Sequence, residues 1–95
     1  AASIIKFPTN STSYLYLFLS NGRYIRYDYS NNVREYDAPT AGANWPGITS
    51  QQATSITSAN TRKVDGVDQV YFTFKSGCTS IFDTKLIKVT KTTCK

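Results

Sequence analysis

Residues 14–29 read YLYLFLSNGRYIRYDY, and they limit the folds open to this chain more than any other stretch. Residues 14–19 are an unbroken apolar run of strand length. Ser20-Asn21-Gly22 follows, and then residues 23–29, where aromatic and polar side chains are interleaved. Asn-Gly between two such runs is the strongest short-range hairpin signal, because both residues tolerate positive φ. Ser30-Asn31-Asn32 marks a second turn, and Val33-Arg34-Glu35-Tyr36 a short third strand. Upstream, Ser3-Ile4-Ile5-Lys6-Phe7 reads as a further strand, stopped by Pro8 and the polar Asn10-Ser11-Thr12-Ser13 loop. Four short antiparallel strands are expected, followed by the Pro/Gly-rich segment of residues 37–48.

The second half repeats this plan. Ala53-Thr54-Ser55-Ile56 echoes Ala1-Ala2-Ser3-Ile4 at a separation of 52 residues. A long polar loop with Asp65-Gly66 is expected next, then the strand of residues 69–74, a Lys75-Ser76-Gly77 turn, and strands in residues 78–83 and 86–90. A period of about 50 residues with four strands per unit is the signature of propeller blades. The chain reads as one domain, 1–95, with a first unit in 1–50 and a second in 51–95.

Two cysteines, Cys78 and Cys94, lie late in the chain, and histidine is absent. Two thiols do not make a four-ligand zinc site. A disulfide is the simplest reading and would stabilise the C-terminal unit by about 3 kcal/mol; a pair of reduced, buried thiols is the alternative. The sequon Asn10-Ser11-Thr12 marks Asn10 as a glycosylation candidate, and the opening Ala1-Ala2-Ser3 resembles the product of signal-peptide cleavage. A secreted, extracellular protein is the expectation. No apolar run approaches the roughly 20 residues that cross a bilayer, so no membrane span is expected.

The net charge of +5 is uneven: four basic and three acidic groups in residues 1–50, seven and three in residues 51–95. The spaced Lys85, Lys88, Lys91 and Lys95 either protect an edge strand against aggregation or meet an anionic partner such as a membrane, an acidic glycan or RNA. Arginine–tyrosine alternation also suits single-strand nucleic-acid binding. Strand parity argues against it. Tyr24, Arg26 and Asp28 face one way and Arg23, Ile25, Tyr27 and Tyr29 the other, so the aromatics are split between two faces.

Tyr16 to Asp28, continued through Val33, Tyr36 and Pro39 to Asn44-Trp45-Pro46-Gly47-Ile48, resembles a hemopexin-type repeat. Such a repeat runs from an aromatic strand through a glycine turn to a Tyr-x-Arg-Tyr-Asp strand and closes on Trp-Pro-Gly. In the second half Val70-Tyr71-Phe72, Phe74-Lys75-Ser76-Gly77 and Phe82-Asp83 fit, while Cys94 stands where the Trp-Pro-Gly would be. The resemblance implies an all-β fold of two four-stranded antiparallel blade-like units. These are half of a four-bladed hemopexin-like propeller, completed by a homodimer. It also implies an acid near each inner strand around a tunnel ion. Here Ala1-Ala2 and Ala53 occupy those places, so no metal is expected, and without histidine no haem or other cofactor.

Asp28, Glu35 and Asp37 are expected to pair with Arg23, Arg26 and Arg34 rather than to act as an acid–base set. Neither cysteine has a histidine to activate it, and there is no phosphate loop or nucleophile elbow. The expectation is a non-enzymatic, lectin-like recognition module for a glycan, a protein or another extracellular ligand. Arg23, Tyr29, Arg34, Tyr36 and Arg62 are its candidate contact residues. The alternative is a small basic secreted effector or toxin on an inactive ribonuclease-like scaffold, acting through protein or RNA contacts.

Overall fold

The computed structural model describes residues 1–41 and 44–94, with the backbone alone at Tyr36. Two four-stranded antiparallel sheets account for most of it. The first runs in chain order through β1 (Ala2–Ile5), β2 (Tyr14–Phe18), β3 (Arg23–Asp28) and β4 (Val33–Pro39). A single helical turn, α1 (Ser50–Ala53), leads to the second sheet: β5 (Ile56–Val64), β6 (Val67–Phe74), β7 (Thr79–Asp83) and β8 (Lys88–Thr93). The all-β expectation and the four-plus-four division therefore hold.

The two sheets are built on the same turns, 55 residues apart. After β2, Leu19 N–H donates to Arg23 O and Gly22 N–H to Leu19 O; after β6, Phe74 N–H donates to Cys78 O and Gly77 N–H to Phe74 O. Gly22 and Gly77 sit at φ of 84° and 90°, the left-handed region that closes a three-residue hairpin loop. Only the glycine of Asn21-Gly22 takes positive φ, where both residues were expected to. Asn21 instead accepts the Arg23 N–H through its side chain. At the next corner the Asp28 carboxylate accepts from Ser30 and Asn31 N–H, and the Asp83 carboxylate from Lys85 and Leu86 N–H. Each corner ends on a left-handed residue, Asn32 in one and Ile87 in the other.

The second sheet departs from the sequence expectation at its first strand. Residues 57–64 read as a polar loop, yet they form most of β5 and pair with β6 from Ile56↔Phe74 to Val64↔Val67. The polarity has a plain cause. Asn60 and Arg62 face solvent, while small Ala59 and Thr61 face the first sheet, so no apolar alternation is visible. Asp65 and Gly66, at φ of 51° and 79°, supply the two positive φ values of a two-residue hairpin. Ala53 belongs to α1 rather than to a strand, because Thr49 and Gln52 form a reciprocal capping box.

Trp45 centres the core at 1% exposure. Phe7, Tyr16, Phe18 and Tyr24 surround it from the first half and Phe72 and Phe82 from the second, with ring centroids 4.7–5.7 Å away and mostly edge-on. Pro46-Gly47 then crosses to the other sheet. Val89 N–H donates to Pro46 O, and a Cβ on Gly47 would lie 2.7 Å from Val89 Cβ. The Trp-Pro-Gly segment thus clasps the outer strand of the second sheet as well as closing the first. At the opposite side the first strands meet, with Ser3 Oγ 2.6 Å from Thr61 Oγ1.

Candidate ligand-binding site

The inner face of the first sheet is not covered to its edge. Ser3, Ile5, Tyr14, Tyr16, Phe18, Tyr24 and Arg26 share this face by register. Beyond the second sheet's reach lies an open cavity of about 180 Å³, small beside the roughly 300–1,000 Å³ of drug-sized pockets. Its floor is aromatic: Tyr16, Tyr24 and Trp45, each at most 4% exposed. The rim is Phe7 with Thr9 and Asn10 from the β1–β2 loop, Arg26 from β3, and Asn44.

Local chemistry positions these groups. The Asn10 N–H donates to Phe7 O, a tight turn that brings the Asn10 amide back beside the Phe7 ring. Arg26 stands 4.4 Å over the Tyr14 ring, and its Nε lies 2.9 Å from Glu35 Oε1, an ion pair by distance without aligned hydrogen-bond geometry. Burial pushes the Tyr16 hydroxyl up to about 12, against the opposing pull of its hydrogen bond to Arg26. For Arg26, burial works against the charge. The bond to Tyr16 and the nearby Glu35 outweigh it, and its pKa is raised. The Trp45 indole N–H is buried with no partner among the described residues. Leaving such a donor unsatisfied costs about 1–3 kcal/mol.

Among the described residues, the sequence-chosen contacts Arg23, Tyr29, Arg34 and Arg62 form no single site. Arg23 and Arg34 converge on Asp37 at the first sheet's outer face, Arg23 through Nε at 2.7 Å. The Arg23 and Arg34 bonds hold the Asp37 carboxyl below its usual range. Tyr29 is exposed beyond the end of β3. Arg62 stands over the Tyr71 ring at 5.5 Å on the other sheet's outer face. The Tyr36 side chain lies outside the described residues. Of the expected ion pairs, Arg26–Glu35, Arg23–Asp37 and Arg34–Asp37 are present. Asp28 instead turns onto Asn31 and Ser30, and those bonds, the Asn31 side chain's first, lower its pKa. It is 8% exposed because its own turn wraps it, not because the core covers it. The expected disulfide is present, joining Cys78 and Cys94 beside the Thr79↔Thr93 pair of β7 and β8.

Asn10, singled out in the sequence as a sequon, is thus at the cavity mouth, next to residues assigned only to the core. One signal could have joined them: Tyr24 and Arg26 share strand parity with Tyr16, and the polar β1–β2 loop must pass over that face. No protein-family model matches the chain, and searches of curated proteins and of solved structures return no match.

Proposed function

We propose that the protein is a non-enzymatic extracellular recognition module that holds one sugar ring of a glycan in the aromatic-floored cavity. The aromatic floor of Tyr16, Tyr24 and Trp45 under a polar rim carries this reading. That rim offers Asn10, Asn44, Thr9 and Arg26 to hydroxyl groups. Glu35 balances the Arg26 charge, which suits a neutral sugar. The carboxylates support the non-enzymatic side of the proposal. Asp28, Glu35, Asp37, Asp68 and Asp83 are each bonded to turn N–H groups or to basic side chains.

Two copies complete a four-bladed ring in this reading. The outer face of the first sheet carries an apolar patch, Ile4 at 53% exposure and half-buried Leu15, Leu17, Ile25 and Tyr27 in register across three strands, beside the Arg23–Asp37–Arg34 group. Ile25 and Tyr27 therefore face outward, away from the Trp45 core. The outer face of the second sheet is polar around Tyr71 and Ile81. A four-stranded face of this size covers on the order of 400 Å². Ring closure joins two such pairs of faces and buries about 1,600 Å², the standard size of a stable interface.

Emission from Trp45, the one tryptophan in the chain, tests the sugar site. Titration with N-acetylglucosamine, mannose and galactose is expected to give a saturable change at about millimolar concentration, weakened by Asn44→Ala. A flat response to every sugar, with the fold intact, overturns it. Light scattering tests the assembly. The wild type is expected at twice the 10.6 kDa chain mass. Leu17→Lys and Ile81→Lys should each return it to one chain. A dimer that survives Ile81→Lys is not a closed ring.

A further inference from the structure

One end of the molecule gathers charge and apolar surface around a single buried carboxylate. Asp68 Oδ2 accepts the backbone N–H of Lys6 at 2.8 Å, and its Oδ1 lies 3.9 Å from Lys63 Nζ. Its backbone oxygen accepts both the Thr84 hydroxyl, at 2.7 Å, and the Thr84 N–H. Three chain segments are tied together there: the exit of β1, the β5–β6 hairpin and the β7–β8 corner. They enclose an open cavity of about 400 Å³ lined by Lys6, Lys63 and Lys85 with Asp68, Pro8 and Val67. The lining itself holds three positive charges and one negative, with the Asp65 and Asp83 carboxylates just outside it. The neighbouring Asp83 carboxylate is occupied by the Lys85 and Leu86 N–H groups.

Next in sequence to Lys63 and Lys85 stand the most exposed aliphatic residues of the second half of the chain. Val64 is 42%, Leu86 57% and Ile87 41% exposed. Ile87 also holds φ at 55°, a region a β-branched residue rarely adopts. Strain of this kind persists where the surroundings impose it and clusters at functional positions. Here it falls at the corner where Leu86 and Ile87 are exposed.

We propose that this end is a membrane-docking face. The phosphate of an anionic phospholipid headgroup sits among Lys6, Lys63 and Lys85, and Val64, Leu86 and Ile87 enter the headgroup–acyl boundary. Neither part suffices alone: basic residues near a membrane contribute additively and fall off within a Debye length, and stable attachment takes a second, apolar signal. The aliphatic tips distinguish this from a site for nucleic acid, which asks for charge and stacking rings rather than bare aliphatics. The contact is peripheral and consistent with the lack of any described helix long and apolar enough to span a bilayer. It is independent of the sugar cavity, which has different walls.

Flotation with phosphatidylcholine vesicles, with and without phosphatidylserine, tests the proposal. Binding is expected only with phosphatidylserine and is expected to weaken as salt rises. Lys63→Ala and Lys85→Ala should each lower partition roughly fivefold, and Asp65→Asn should raise it about as much. Leu86→Ser with Ile87→Asn should lower it about tenfold while leaving the melting temperature unchanged or higher, since asparagine accepts the left-handed backbone. Full binding by that variant, or no phosphatidylserine dependence in the wild type, overturns the proposal. So does saturable binding of glycerol phosphate, RNA or an acidic polysaccharide by a protein that ignores the vesicles.

Discussion

The two sheets share a plan and differ in how they are fastened. Both turn on a glycine hairpin and then on an aspartate corner, 55 residues apart. The first is locked from within by Trp45, whose ring touches aromatics of both sheets. The second is locked at its margin by the Cys78–Cys94 disulfide, which holds the outer strand β8. Their outer faces differ too: the first carries an apolar patch beside the Arg23–Asp37–Arg34 group, and the second is polar around Tyr71 and Ile81. A shared backbone plan therefore fixes neither the source of stability nor the surface presented. Those depend on which side chains occupy equivalent places.

Removing each fastening is the direct way to test this contrast. Trp45→Ala should cost about 3–5 kcal/mol, a large share of the 5–15 kcal/mol available to a small domain. A broad, uncooperative thermal melt is the expected outcome; a sharp melt near the wild-type midpoint would mean that the ring is not the shared centre. Replacing both cysteines by serine should cost about 3 kcal/mol. Hydrogen exchange should quicken first in β7 and β8 and leave β2 and β3 protected, and uniform quickening would contradict a marginal fastening.

Alkali reads the interior of the first sheet. Tyr16 titrates at about 12 in the folded protein against about 10 when unfolded. Stability is thus intact below about pH 10 and falls as pH rises from there to about 12, by about 2 kcal/mol. Tyr16→Phe should flatten that limb of a denaturant series. At the equivalent corners, Asn32 is relaxed at φ of 57° and Ile87 is strained at 55°. Ile87→Asn should raise stability by about 1 kcal/mol, whereas Asn32→Ile should lower it by a similar amount. Equal and negligible effects would show that the corners tolerate either residue.

The smallest effect lies in acid. Asn31 bonds in the first corner, and in the second the Leu86 N–H ahead of that of Lys85, hold Asp28 and Asp83 below the usual carboxylate range. Their stabilisation is present above the unfolded value of about 3.9 and is lost as pH falls through the lower folded values. Asp28→Asn and Asp83→Asn should each shallow the fall in melting temperature below pH 4, to a similar degree if the corners are equivalent.

Much of the fold was legible because it is local. Glycine turns, apolar runs at 14–19 and 69–74, and the strand parity of Tyr24 and Arg26 all report on neighbours in sequence. The β5 strand was not legible, since its residues are polar or small and its order comes from pairing with β6. The candidate site was less legible still. Arg23, Arg34 and Arg62 looked like contact residues but are held by Asp37 or lie over Tyr71. The cavity residues Tyr16, Tyr24 and Trp45 looked like architecture, and as architecture they also line the cavity.

The sequence by itself determined the all-β class, the two units, the turns and the cysteine pair, because hairpins and periodicity are written in adjacent residues. Only the tertiary structure decided that Asp68 gathers Lys6, Lys63 and the Thr84 corner, 62 and 16 residues away from it at the extremes. It alone also decided that the Trp45 N–H is buried without a partner among the described residues. Such groupings depend on how two sheets meet. No local pattern encodes that meeting, because it is set by the packing of aromatic rings drawn from both halves of the chain.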